Sequence, residues 1–372
     1  MPRRPRGAVT ASAIASALVL LLALGGCTAV GDGGPGPGEA VAGGDRPPLD
    51  EIAVLDDPFG YVGESTALLT DAAIVPVEEH PAQSLPATVE SAELGGPQSV
   101  TVTDTSRVLA IDLAGSLAAT VWGLGFGSTL IGRDQSTTFP GAAELPLATS
   151  GAHAVSAEAV IAMRPTLIIT DGTIGPRDVI EQLRDVGITV VFVAPESSFD
   201  GAAQLARDVA AIYGAPEAGE RLAERTAADI AEAEATIDRI APEPGLRMMF
   251  LYLRGGSGVY YLFGAESGAN HLIEALGGVD VAGELGWAGS RPMTDEAVIA
   301  ANPDLILVMT DGLASVGGVD GLLEEVPAIA LTTAGQHRRF VDMADGEILS
   351  FGPRSAAVLD ALARAIYAPD AT

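Results

Sequence analysis

The chain has 372 residues, of which 48% are apolar, enough for two or three core-forming domains and too apolar for a disordered chain. It carries 49 acids against 20 bases for a net charge of −29, and all 20 bases are Arg. Such an acidic surface argues against binding a nucleic-acid backbone, and a single Cys excludes an intrachain disulfide or a Cys-based metal cluster.

The elements begin with Arg3, Arg4 and Arg6, a basic start to the apolar run SALVLLLALGG at 16–26. That run has the length and position of a signal-peptide core, too short for a standalone membrane span. It ends in Leu24-Gly25-Gly26-Cys27, which resembles a bacterial lipobox. We therefore expect residues 1–26 to be a signal peptide and Cys27, the sole Cys, to be lipidated. Two acyl chains suffice for stable anchoring, here on the outer face of the cytoplasmic membrane. Residues 27–85 read as tether and lead segment. The stretch after Cys27 is Gly/Pro-rich without apolar period, and 51–85 carries no assignable pattern.

Alternation on both sides of Gly95-Gly96 predicts a β-hairpin over 87–104. From Arg107 the pattern becomes strand–helix. The apolar runs 108–113, 167–170 and 188–193 read as buried parallel strands, with helices over 115–124, 156–163 and 176–186. The polar-rich stretch 217–240 places Leu222, Ile230, Ile237 and Ile240 at helical spacing. Its length predicts a rod of roughly 36 Å. A second α/β series follows: strands at 246–253, 259–263 and 305–310, and helices at 267–276 and 353–366. The segments SAEAVIAMRPTLIITDG (156–172) and TDEAVIAANPDLILVMTDG (294–312) repeat one helix–Pro–strand unit. The expected fold is α/β: two Rossmann-like lobes joined by one long rigid helix, with a ligand cleft between them. The lobes are placed at 86–215 and 242–372, the connecting helix at 216–241.

These features together resemble the helical-backbone class of ABC-transporter substrate-binding proteins, which capture cobalamin, siderophores and haem. Within it the chain is similar to actinobacterial haem receptor lipoproteins. The likeness runs over about 87–368, through VTVTDTSRVLAIDL, GRDQSTTFPG, FLYLRGGSGVYYLFG, LIEALGGVDVA and RRFVDMADGEILSFGPR. It implies a monomeric, non-enzymatic receptor that carries haem b to an ABC permease dimer with its ATPase, without nucleic-acid partners.

The chain offers four His. His80 reads as a solvated loop residue, His337 sits beside Arg338 and Arg339, and His271 opens a helix. His153 lies in a loop among Gly151, Ala152 and Ala154, which leaves room for a large flat ligand. Tyr252 and Arg254 share one face of a strand. A cation beside a phenol favours the phenolate, a hard donor suited to ferric iron. On the residues alone, Tyr252 is equally an aromatic core residue, and His153 is more readily a plain loop His than a ligand. The resemblance implies that His153 and Tyr252 are axial haem ligands with Arg254 behind Tyr252. Met309, at a strand end, is a possible pocket residue. Arg291 and Arg354 are possible partners for the propionates, because Arg binds carboxylates in bidentate fashion. Glu158 and Glu296 occupy matching places in the repeat. An acid in a first helical turn is favoured by the macrodipole, whereas the wider receptor class uses such acids to dock on Arg sockets of the permease.

Two other readings stay open. A ferric-siderophore or cobalamin receptor would not need the His153/Tyr252 pair. An extracytoplasmic enzyme would need a catalytic set, yet the sequence has no G-x-S-x-G, H-E-x-x-H or G-x-G-x-x-G, and Gly123-Leu124-Gly125-Phe126-Gly127 misses the last pattern.

Overall fold

In a computed structural model, residues 46–194 and 196–371 are described; the leader, Cys27 and the Gly/Pro tether lie outside them. Among the described residues no helix is long and apolar enough to cross a membrane.

Apolar runs without alternation demand burial on both faces, and the N-terminal lobe provides it. Val108–Ile111, Leu167–Thr170 and Thr189–Phe192 form a parallel sheet in that order. The helices Ser116–Leu124, Arg177–Asp185 and Phe199–Ile212 all bury apolar residues beside it. The hairpin pairs Ala87–Ser91 with Gln98–Val102.

The C-terminal lobe is a mixed sheet. Its order is Ser65–Ala67, Phe340–Met343, Leu305–Met309, Arg247–Arg254, Val259–Phe263 and Ser290–Pro292, with Val279–Asp280 beside Arg247–Arg254. The repeated unit folds alike in both lobes. Ser156 and Thr294 cap the helices Ala157–Met163 and Asp295–Ala301 by accepting the amides of Ala159 and Ala297 at 3.3 and 3.2 Å. Each helix ends on a left-handed residue, Arg164 or Asn302, before its strand.

Between the lobes runs the helix Pro216–Ile237, 22 residues with Pro at its first position, about 33 Å long. Its first half gives Ala218, Leu222 and Ala223 to the N-terminal core, and its second half gives Ile230 and Ile237 to the C-terminal core. The lead segment makes a second crossing. Leu49, Ala67, Leu69 and Ala72 belong to the C-terminal core, and Ile74 to the N-terminal one. Beyond it, the Val77 amide donates to the Gly123 carbonyl and the Ser84 amide to that of Gly214. The segment without a sequence pattern is thus an integral part of both lobes.

The lobes meet along the loop 344–354. Gly346 lies so close to the N-terminal lobe that a Cβ there would sit 2.2 Å from the Ser136 carbonyl oxygen. The Ser350 hydroxyl is 3.2 Å from that of Ser116. Gly346→Ala should therefore destabilise the protein by about 1–3 kcal/mol through overpacking. Urea unfolding checks this; an unchanged midpoint would show that the seam yields freely.

Candidate ligand site

The strand Arg247–Arg254 sorts its side chains by parity. Met249, Leu251 and Leu253 enter one core. Phe250, Tyr252 and Arg254 take the other face, and the antiparallel neighbour, in register Tyr261 to Tyr252, sets Tyr261 and Phe263 beside them. Three rings stack along this face: Phe250 and Phe263 at 5.3 Å, Tyr252 and Phe263 at 5.4 Å, within 9° and 8° of parallel. The Arg254 guanidinium covers the Tyr252 ring at 4.7 Å from its centroid. It also donates to the Leu253 carbonyl and to the carboxylate of Asp345, and approaches the Met309 sulfur at 3.8 Å. The expected pairing of Tyr252 with Arg254 is present, with the cation over the ring face.

Opposite stands His153, the last residue of a single 3-10 turn, Gly151–His153. Its backbone is left-handed, φ 56°, and its amide donates to Gln135 Oε1 at 3.2 Å. A tight pair of two-residue strands, Thr149–Ser150 and Ala154–Val155, holds the turn on both sides. The imidazole Nδ1 is buried and has no hydrogen-bond partner among the described residues. Burial, and then the charge of Arg254, lower the His153 pKa. At neutral pH the ring is therefore uncharged, the form in which imidazole ligates a metal.

His153 and Tyr252 line one cleft between the lobes, together with Leu113, Ser136, Thr173, Arg254 and Asp345. The cleft has two arms. One, of about 410 Å³, is walled by Tyr261, Phe263, Met309 and Leu349 and is the more apolar. The other, of about 890 Å³, is walled by Gln135, Thr138, Ser257 and Asp311. These sizes suit a small-molecule ligand. Arg254 is the sole Arg among the described residues lining them. Asp171 also borders the apolar arm, and burial raises the pKa of its carboxyl.

Two expected pocket residues lie elsewhere. Arg354 is buried in an ion pair with Glu347 at 3.3 Å, donates to the Gly346 carbonyl and sits 5.6 Å over the Phe139 ring. Its charge is consumed within the seam, so it does not meet a ligand carboxylate. Arg291 is opposite Leu262 in the strand register, on the face turned away from Tyr252, and stacks on Trp287 at 5.2 Å. Its neighbour Ser290 faces the cleft instead. Met309 lies in the cleft as expected. His80 and His271 are exposed and His337 is half-buried, all outside the cleft.

Glu158 and Glu296 are each the second residue of their seven-residue helices, exposed, one per lobe. Sequence reasoning missed Gln135 and Asp345. Gln135 precedes the apolar Phe139 by four residues in a loop, and Asp345 stands among surface-like residues, Ala344 to Glu347; neither spot carries a local signal.

Comparisons with known proteins agree with this architecture. The crystal structure of the heme binding protein HmuT is 40% identical, with a TM-score of 0.79 over 84% of this chain and 99% of that one. Structures of HmuT variants with an Arg, a Tyr or a His replaced by Ala are similar to the chain to the same degree. The uncharacterized ABC transporter substrate-binding lipoprotein YvrC of Bacillus subtilis (strain 168) is 25% identical over 288 residues, 77% of this chain and 86% of its own. A cobalamin-binding protein of Halobacterium salinarum (strain ATCC 29341 / DSM 671 / R1) is 26% identical over 200 residues, 53% of this chain and 52% of its own. The periplasmic binding protein model matches residues 112–345, and the chain belongs to that family.

Proposed function

We propose that the chain is the haem receptor of an ABC importer, binding one ferric haem b between its lobes with His153 and Tyr252 as axial ligands. One observation carries the reading. Each lobe contributes one iron-competent donor to the same cleft, a neutral imidazole and a phenol under a guanidinium, beside an aromatic arm suited to a flat macrocycle. The likeness to HmuT supports haem over other ligands. Glu158 and Glu296, one exposed acid per lobe, then serve to dock the permease dimer.

In this reading Cys27 holds the mature chain to the outer face of the cytoplasmic membrane, in line with the lipoprotein YvrC. The receptor acts as a monomer and catalyses no reaction. A cobalamin receptor is the second reading, favoured by the Halobacterium relative, but it leaves the His153/Tyr252 pair without a task.

The test is haem-dependent growth. A strain lacking the chain should fail on haem as sole iron source and recover with the intact gene. Unimpaired growth on haem, with loss of growth on cobalamin or a ferric siderophore, would overturn the proposal.

Arg254 holds its charge over the Tyr252 ring from a half-buried place on the cleft wall, paired with Asp345. Arg254→Ala should therefore speed hemin loss about tenfold, the lower end of what an outer partner of a metal ligand contributes, and lower the unfolding midpoint of the apo form, because it leaves the screened Asp345 carboxylate without its cation. An unchanged off-rate would remove Arg254 from the site.

A further inference from the structure

Arg254 is a long, flexible side chain, and something must hold its guanidinium over Tyr252. Its own strand supplies only the Leu253 carbonyl, at 2.9 Å. Beyond its own strand stand the Met309 sulfur, a weak acceptor at 3.8 Å, and the Asp345 carboxylate, the charged anchor. One carboxylate oxygen of Asp345 accepts from Arg254 Nη2, and the other accepts the backbone N–H of Asp311 at 3.0 Å. Both partners of the pair are largely screened from solvent, with side-chain exposures of 27% for Arg254 and 19% for Asp345. A bridge with both carboxylate oxygens engaged has one orientation.

The position of Asp345 matters as much as its contacts. It follows the strand Phe340–Met343 and opens the loop that forms the seam between the lobes. The next residue, Gly346, packs on the Ser136 carbonyl, and Ser136 itself lines the cleft. Asp311, which anchors the other oxygen, belongs to the helix Thr310–Ala314 at the end of the central strand carrying Met309. Asp345 is thus tied to the floor of the cleft, and its neighbour Gly346 meets the opposite lobe.

From this geometry we infer that Asp345 is a positioning residue of the ligand site. It sets the Arg254 guanidinium over Tyr252 and ties that placement to the seam where the lobes touch. The inference rests on the haem reading above, since its readout is the iron complex of Tyr252.

The experiment uses the mature protein and four variants: Asp345→Asn, Asp345→Ala, Arg254→Ala and the double Arg254→Ala/Asp345→Ala. Asn keeps the shape and an oxygen for the Asp311 amide but turns an N–H donor towards the guanidinium, where no bond can form. Two quantities are followed: the phenolate-to-iron charge-transfer band of the hemin complex, and the rate of hemin loss to excess apomyoglobin. We expect Asp345→Asn to displace the band and to speed hemin loss about tenfold. The double variant should behave as Arg254→Ala alone, because Asp345 acts through Arg254. A merely structural residue would lower the unfolding midpoint and leave the band in place. The inference is overturned if Asp345→Asn keeps the wild-type band and off-rate, or if the two changes multiply in the double variant. Wild-type protein that takes up no hemin would instead overturn the proposed function, so the two failures are distinct.

Discussion

Tyr252→Phe is expected to abolish the phenolate-to-iron charge-transfer band of the hemin complex. It should weaken haem retention by more than the roughly 10–100-fold that losing an outer partner of a metal ligand costs. The substitution removes one oxygen and little else. A Phe ring at 252 keeps the stack on Phe263 and stays beneath Arg254. Tyr252 is partly exposed to the cleft and its hydroxyl has no partner among the described residues, so the fold does not depend on it. The unfolding midpoint of the apo form should therefore hold while the iron complex changes. His153→Ala probes the other side: it should retain the charge-transfer band and lose the second axial ligand. A Tyr252→Phe spectrum identical to wild type would show that the phenol does not meet the iron.

Reversing both acids proposed for docking, Glu158→Arg with Glu296→Arg, should abolish haem uptake while the hemin spectrum stays intact. Each acid is exposed on the first turn of a capped helix, and the two helices are copies of one repeated unit set on different lobes. Neither lines the cleft. A two-subunit permease can meet both at once. Against the Arg sockets of the proposed docking, the reversed charges would cost on the order of several kcal/mol in the complex. In the free protein they cost little beyond the few tenths to ~1 kcal/mol of helix-dipole interaction. Uptake into reconstituted vesicles, run beside a hemin titration, separates the two steps. Normal uptake would end the docking assignment. Lost hemin binding would place these acids in the pocket or the fold.

What the sequence made legible follows from locality. The runs Val108–Ile111, Leu167–Thr170 and Leu305–Met309 are buried on both faces, so their composition alone marks them. The strand Phe340–Met343 escaped because Asp342 interrupts it. That carboxylate is tolerated in the sheet because it accepts the hydroxyls of Thr66 and Thr310 at 2.8 and 2.6 Å, one of them from residues 276 positions away. The strand Ser65–Ala67 is three residues long and pairs with that same distant partner, a contact with no local signature.

The site divides in the same way. Strand parity alone sets Tyr252 beside Arg254, and the turn-prone small residues around His153 mark a loop with space. Parity also decides Arg291, but only once the register with Leu262 is known, and that register places it away from the cleft. Arg354 looks like any ligand-binding Arg until Glu347 and Phe139 are seen to enclose it. Asp345 is in the same position: a lone acid acquires meaning only from Arg254, 91 residues earlier in the chain.

Titrating the mature protein with hemin and recording its absorption spectrum decides whether Tyr252 and His153 hold one ferric haem between the lobes. The expected result is a Soret band that saturates at one equivalent, together with a phenolate-to-iron charge-transfer band. A spectrum that remains that of free hemin, or saturation without the charge-transfer band, would contradict it.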